Sequence, residues 1–205
     1  MIAIVDYGVG NLFSLRASFA AIGAEVVVSS EESVIRAAEK IILPGVGAFE
    51  DAAKKLSESG LGKVVCEEAA KGKPILGICL GMQMLFEKSF EYGEHKGLGL
   101  IRGNVRPIAD VIPKGLKIPH IGWNALTFKG EKSPIFKYLN EGDCVYFVHS
   151  YYAADCDDAV IATAEYGAEL TAAVSSGNVY GCQFHPEKSG DVGLSILRAF
   201  VELEV

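Results

Sequence analysis

The chain is poor in the residues that make metal sites, disulfide frameworks and membrane spans. Its 205 residues hold five cysteines, and none forms a CxxC pair. Cys66, Cys79, Cys144, Cys156 and Cys182 are irregularly spaced, so neither zinc nor a redox dithiol is expected. The odd count fits small buried thiols in a reducing cytosol, which makes a cytoplasmic protein the expectation. His95, His120 and His149 lack HxH, HExxH or Cys-partner spacing, so no metal is expected there. No apolar run approaches the roughly 18–20 residues that span a bilayer. The opening MIAIVDYG reads directly as a buried strand, without the basic and apolar regions of a signal peptide. No membrane partner is therefore expected. Basic residues are also in deficit, 19 against 26 acidic, for a net charge of −7. Without a basic stripe to displace counterions, no nucleic acid is expected as a partner. Gly8-Val-Gly10-Asn11 lacks the G-x-G-x-x-G spacing and the Walker lysine, so no nucleotide cofactor is expected.

What remains is ample apolar material: half of the residues are hydrophobic. That is enough for one domain over residues 1–205. The first half alternates short apolar runs with helical patterns. Ile2–Asp6, Val26–Val28, Ile41–Leu43 and Pro74–Ile78 read as strands. Asn11 looks like an N-cap, followed by Leu12, Leu15, Phe19 and Ile22 on one helical face, with Gly23 closing the helix. Further helices are expected over Glu31–Ala38, over Glu50–Lys71 with a break at Gly60, and over Gly81–Lys88. From Leu98 to Phe184 strand signals dominate, and a last helix, Ser189–Leu203, shows Leu194, Leu197 and Val201 on one face with Ser189 as its cap. Continuous apolar strands alternating with helices predict a three-layer α/β/α fold, its parallel sheet extended by antiparallel strands.

One cysteine has a distinctive setting. Pro74-Ile-Leu-Gly-Ile-Cys79-Leu-Gly-Met-Gln83 reads as strand, sharp turn and helix, with Gly77 and Gly81 flanking Cys79 at i−2 and i+2. This is the G-x-nucleophile-x-G elbow with sulfur in place of oxygen. The glycines admit close chain approach around a strained nucleophile. The helix N-terminus favours the thiolate, and the Leu80 N–H is placed to stabilise an oxyanion. A core cysteine between two packing glycines would leave the same trace. A base is sought in Gln183-Phe-His185-Pro-Glu187. Pro186 stops the preceding strand, leaving His185 at its end with Glu187 two residues on to orient the ring. Taken alone, His185 could equally be a capping residue beside a solvated carboxylate.

The elbow and His185-Pro-Glu187 resemble the class I (triad) glutamine amidotransferases, which share a flavodoxin-like α/β/α domain. Five further segments are similar to the glutaminase subunits of imidazole glycerol phosphate synthases. These are Asp6-Tyr-Gly-Val-Gly-Asn11, Pro44-Gly-Val-Gly47, Pro119-His-Ile-Gly-Trp-Asn124, Tyr146-Phe-Val-His-Ser-Tyr151 and Gln183-Phe-His-Pro-Glu-Lys-Ser189. The likeness spans essentially the whole chain. It implies that Cys79 attacks the side-chain amide of L-glutamine, that His185 protonates the departing ammonia, and that water releases glutamate from a thioester. It implies substrate contacts from Gly45, Gly47, Gln83, Glu91, His149, Ser150 and Tyr151, and an oxyanion hole from Val46 and Leu80. The implied partner is a (β/α)8-barrel cyclase of histidine biosynthesis, forming a heterodimer and receiving the ammonia, with Asn11, His120, Trp123, Asn124 and Lys188 facing it. No cofactor is implied. Where many relatives carry an additional glycine this chain has Val46. A β-branched residue resists positive φ, so the Gly45–Val46 peptide is expected to rest with its N–H turned away until the partner binds. An amidotransferase of another synthase, a stand-alone hydrolase and a non-catalytic module remain open readings of the sequence.

Overall fold

Apolar runs flanked by helical patterns become strands here because each buries both faces. The strands are β1 (Ile2–Val5), β2 (Val26–Ser29), β3 (Lys40–Leu43) and β4 (Ile75–Ile78), separated by α1 (Leu12–Ala21), α2 (Glu32–Ala37), α3 (Phe49–Glu58) and α4 (Leu61–Ala70). The computed structural model describes residues 1–204. After β4 come α5 (Leu80–Met84), β5 (Phe86–Ser89), β6 (His95–Lys96), β7 (Ile101–Pro107), β8 (His120–Ala125) and β9 (Thr127–Phe128). The chain ends with β10 (Cys144–His149), β11 (Tyr151–Ala154), β12 (Val160–Glu165), β13 (Glu169–Ser176), β14 (Val179–Cys182) and α6 (Gly190–Val201).

The main sheet runs β2-β1-β3-β4-β14-β13-β12-β9. Pairing is parallel from β2 through β14 and antiparallel beyond it. Successive residues of a strand point to opposite faces, and the core divides accordingly. Ala3, Val5, Ile41, Leu43 and Ile75 pack with α2, α3 and α4, through Ile35, Phe49, Leu56 and Val65. Ile2, Ile4, Ile42, Leu76 and Ile78 pack with α1 and α6, through Leu15, Phe19, Ile196 and Phe200. The result is the expected three-layer α/β/α fold. A four-stranded sheet (β11-β7-β5-β6) and the β8–β10 ribbon stand beside it, near the carboxyl ends of the parallel strands.

Local chemistry matches several sequence expectations. Asn11 Oδ1 accepts from Ser14 N at 3.4 Å to cap α1, and Gly23 ends that helix at φ 73°. Gly60 separates α3 from α4 at φ 74°.

Other expectations need correction. The helix expected over Gly81–Lys88 stops at Met84, because Phe86–Ser89 pairs with both β7 and β6. The run Met82, Met84, Leu85, Phe86 fits a helix or a buried strand equally well, so periodicity could not separate them. Helix α6 buries Gly193, Ile196, Leu197, Ala199 and Phe200, a face rotated from the expected Leu194–Leu197–Val201 line. Ser189 makes no side-chain cap; its hydroxyl donates to His185 O at 2.6 Å and accepts from Tyr146 N at 3.0 Å. Of the cysteines, Cys144 is exposed and Cys66 half-buried.

Candidate active site

Cys79 sits between β4 and α5 with φ 54° and ψ −114°, one of three non-glycine residues of positive φ among the described residues. A side chain rarely tolerates this geometry, and surrounding contacts enforce it. The Cys79 N–H donates to Cys182 O on β14 at 2.7 Å, and its carbonyl accepts from Gln83 N at 3.1 Å. Both flanking glycines are required by space. A Cβ on Gly77 would lie 2.7 Å from Gly81 O, and one on Gly81 would overlap the Leu43 carbonyl.

The chain leaving β14 brings His185 to the same place. Its N–H donates to Tyr146 O at 3.0 Å on β10. With Ser189 holding the His185 carbonyl, the backbone is fixed on both sides. His185 Nδ1 lies 2.8 Å from Glu187 Oε1 in a buried pair. The carboxylate can only accept, so Nδ1 carries a proton toward Glu187 and Nε2 is the nitrogen left to hydrogen-bond the Cys79 sulfur. Burial pulls the imidazole pKa down, but hydrogen bonds to Cys79 and Glu187 outweigh it and raise the value to about 9. The second carboxylate oxygen, Oε2, is buried without a hydrogen-bond partner among the described residues.

A cavity of about 600 Å³ opens over the sulfur, lined among others by Val46, Gly47, Cys79, Leu80, Gln83, Glu91, His149, Ser150 and Tyr151. Gly45 does not line it. It is wedged against the elbow, where a Cβ would lie 2.6 Å from Gly81 N. The Gln83 amide is already engaged, donating to Tyr151 O at 3.2 Å and Gln183 Oε1 at 3.0 Å. Glu91 Oε2 accepts from Phe49 N at 2.6 Å, holding the start of α3. Val46 is 40% exposed and is not among the positive-φ residues.

Two residues here were not singled out from the sequence. Gln183 is fully buried, and its Nε2 lies 3.9 Å from Cys79 Sγ. An amide in an otherwise apolar strand exit was the available signal. Tyr92, at φ 52°, stands exposed at the cavity rim with its ring edge-on to Tyr151 at 6.4 Å. Nothing in the local sequence marks it.

The residues expected to face a partner divide. Trp123 is 56% exposed and Ile121 58%, on the outer face of β8. Lys188 is exposed and Asn11 half-exposed. His120 is buried at 1% exposure, stacked on Tyr166 and Phe147. It belongs to an internal chain instead of a surface. Asn124 donates to Glu165 O at 2.8 Å, which turns its Oδ1 toward His120 Nε2 at 2.7 Å. His120 Nδ1 then meets His149 Nε2 at 3.0 Å, and His149 Nδ1 meets Tyr151 O at 2.8 Å. Two neutral rings carry two N–H groups for these three contacts, so not all three are hydrogen bonds at once. Among the described residues no cluster of His, Cys, Asp or Glu could hold a metal ion. No helix among them is long and apolar enough to cross a membrane.

Comparison with known proteins agrees with this geometry. The chain is 49% identical over 204 residues to the imidazole glycerol phosphate synthase subunit HisH of Caldanaerobacter subterraneus subsp. tengcongensis, covering 99% of this chain and 98% of that one. The subunit HisH of Lactococcus lactis is 50% identical over 202 residues, with 98% of both chains covered. The crystal structure of a glutamine amidotransferase superposes with TM-score 0.77 at 20% identity, covering 98% of each chain. The glutaminase domain of Trypanosoma brucei CTPS, solved with bound acivicin, gives 0.68 at 17% identity, over 100% of this chain and 94% of that one. At such identities these two speak for the fold alone. The model of the glutamine amidotransferase class-I family matches residues 3–203, and with relatives near half identity over nearly full length, the chain belongs to the class-I glutamine amidotransferases.

Proposed function

We propose that this chain is the glutaminase subunit of an imidazole glycerol phosphate synthase, a single amidotransferase domain working in the cytoplasm. Cys79 is the nucleophile, His185 the acid and base, and Glu187 the group that orients His185. The observation that carries this reading is the strained Cys79 elbow, open to a cavity large enough for an amino acid and hydrogen-bonded to His185 of the buried His185–Glu187 pair. The sulfur attacks the glutamine side-chain carbonyl, and the negative charge moves to that oxygen, facing the N–H groups of Leu80 and Val46. Collapse of the tetrahedral species expels ammonia, which takes its proton from His185. Water, deprotonated by His185, then attacks the thioester and releases glutamate and the free thiol. The step needs no cofactor.

Glu91, Gln83 and the His149–Ser150–Tyr151 backbone hold the amino-acid end of the substrate. The His185 pKa of about 9 keeps the imidazole charged at neutral pH, suiting it to donate to the departing amine. Ammonia passes to a barrel-shaped cyclase. The exposed apolar side chains of Ile118, Ile121 and Trp123 support a docking face for it. Val46 keeps ordinary backbone geometry in the free chain, so the partner completes the oxyanion hole. The test is glutamate release by the purified chain alone, with the cyclase, and with the cyclase plus its nucleotide ligand. Slow release alone and a large rise in the full complex is expected. Equal rates in all three would overturn the partner-dependent part, and absence of release in every case the whole reading.

A further inference from the structure

Tyr7 follows β1 and is buried at 6% exposure. Its hydroxyl donates to the Pro44 carbonyl oxygen at 2.7 Å, within the core and 37 residues away in sequence. Burial, and then the nearby Cys79 sulfur, push this phenol well above its usual range. It therefore stays protonated and remains a donor throughout neutral pH. The carbonyl it holds belongs to the peptide that leads into Gly45. The same peptide is confined on two other sides. A Cβ on Gly10 would lie 2.9 Å from Pro44 Cβ, and one on Gly45 would lie 2.6 Å from Gly81 N and 2.9 Å from Leu80 Cβ.

Immediately downstream the constraints vanish. Gly47 has φ +97°, and an added Cβ would meet nothing within 4 Å. Val46 and Gly47 line the cavity over Cys79 and also a second cavity of about 330 Å³ behind the loop, bounded by Gly8, Gly10 and Lys55. The next fixed point is the Phe49 N–H on the Glu91 carboxylate. The loop is thus a short bridge, pinned at Pro44 and at Phe49, with open space on both sides of the peptides between.

We propose that Tyr7 is a positioning residue for the oxyanion hole: its hydroxyl fixes the Pro44–Gly45 peptide, so that rotation is confined to the peptide carrying the Val46 N–H. This rests on reading Val46 as an oxyanion donor. Tyr7 touches neither substrate nor sulfur in this role. Without its hydroxyl the Pro44 carbonyl is buried and unpaired, the upstream peptide relaxes, and the Val46 N–H spreads over more orientations. Binding of glutamine uses other groups, so the loss falls on the transition state.

The experiment compares two reactions of Cys79 in the chain assembled with the cyclase and its nucleotide ligand. Glutamine hydrolysis passes through an oxyanion. Alkylation by iodoacetamide forms a carbon–sulfur bond and expels iodide, so it reports on the sulfur alone. In Tyr7→Phe, kcat for glutamate release should fall about tenfold, less than the loss of an oxyanion donor itself, with KM and alkylation rate within about twofold of the parent. An unchanged kcat overturns the proposal. So does a fall in alkylation equal to the fall in kcat, because Tyr7 would then act through the sulfur. If Tyr7→Phe folds poorly, Gly10→Ala, whose Cβ would lie 2.9 Å from Pro44 Cβ, displaces the same residue and should give the same split between kcat and alkylation; no split overturns the proposal equally. Val46→Pro removes the N–H in question. Full activity in Val46→Pro defeats the oxyanion reading, whereas a crippled Val46→Pro beside a fully active Tyr7→Phe defeats only the role of Tyr7.

Discussion

The elbow around Cys79 and the loop Pro44–Gly47 border the same cavity but are held in opposite ways. At the elbow three backbone bonds tie the chain around the sulfur: Cys79 N on Cys182 O, Gln83 N on Cys79 O, His185 N on Tyr146 O. Crowding at Gly77 and Gly81 leaves no alternative path for the chain. In the loop, Val46 and Gly47 lie between two cavities. Strain is therefore stored at the nucleophile, and open space is kept around the loop proposed to carry the oxyanion donor. On the proposed reading, a preorganised nucleophile and a switchable oxyanion hole share one site, provided the boundary between them is rigid. Pro44–Gly45 is that boundary.

Breaking the rigid side should cost most. Cys79→Ala should lower glutamate release by roughly 10⁴-fold or more in the full complex, since the residual catalysis of a site lacking its nucleophile is small. A steady-state assay measures it, and a loss below about tenfold would remove Cys79 from the mechanism. Glu187→Gln should cost about 10³-fold in kcat with little change in KM, because the His185 tautomer is no longer enforced and the imidazolium loses its counter-charge. Retained activity in Glu187→Gln would show that His185 is oriented by its backbone contacts alone.

The rigid side was also the legible side. Gly77, Cys79 and Gly81 speak for themselves because only glycine fits such approaches, and His185-Pro-Glu187 carries its own strand stop and orienter. Alternating helices and apolar strands gave away the layers for the same reason, since burial on both faces leaves one pattern. Illegible features depend on neighbours distant in sequence. Phe86–Ser89 became a strand because β6 and β7 offered edges to pair with. The α6 face turned because Gly193 packs against Pro186. His120 looked like a surface residue among Ile121, Trp123 and Asn124, yet strand alternation turns it inward to His149. Gln183 is silent in the local sequence because its partners, Gln83 and Cys79, lie about a hundred positions earlier.

Sharpening the flexible side should give a gain instead of a loss. If the Val46 N–H must turn through backbone angles that a β-branched residue avoids, glycine should relieve about 1–2 kcal/mol, which is roughly tenfold in rate. Val46→Gly is expected to raise glutamate release by the chain alone by that factor and to leave the complex nearly unchanged. The measurement is the ratio of complexed to free activity. An unchanged ratio would mean that the barrier to activation lies elsewhere.

The smallest effect concerns stability, and here the two imidazoles beside the cavity oppose each other. Burial, then the charges of His120 and His185, hold His149 at about 4 despite its hydrogen bond to Tyr151 O. Between about pH 6.5 and 4 the unfolded chain takes up a proton there that the folded chain refuses. Stability therefore falls with acid across that window, by about 3 kcal/mol at most. His185, raised to about 9, binds its proton more tightly when folded. Its contribution is complete below about pH 6.5 and is lost as pH rises to about 9, by a similar amount. The carboxylates held low by cationic partners, such as Glu68 beside Lys71 and Lys73 at about 2, begin to act only below about pH 4.5. The thiols raised by burial, Cys182 and Cys156, matter only above about pH 8.5, where free thiols ionise. Denaturant midpoints should accordingly peak near pH 6.5. His149→Asn should flatten part of the acid limb between pH 5 and 6.5, His120, also lowered by burial, keeping the remainder, and His185→Asn the alkaline limb between 6.5 and 8.5. A wild-type profile flat from pH 5 to 8.5 would show that neither imidazole is coupled to folding, and that the proton on His185 is not held by the contacts that define the rigid side of the site.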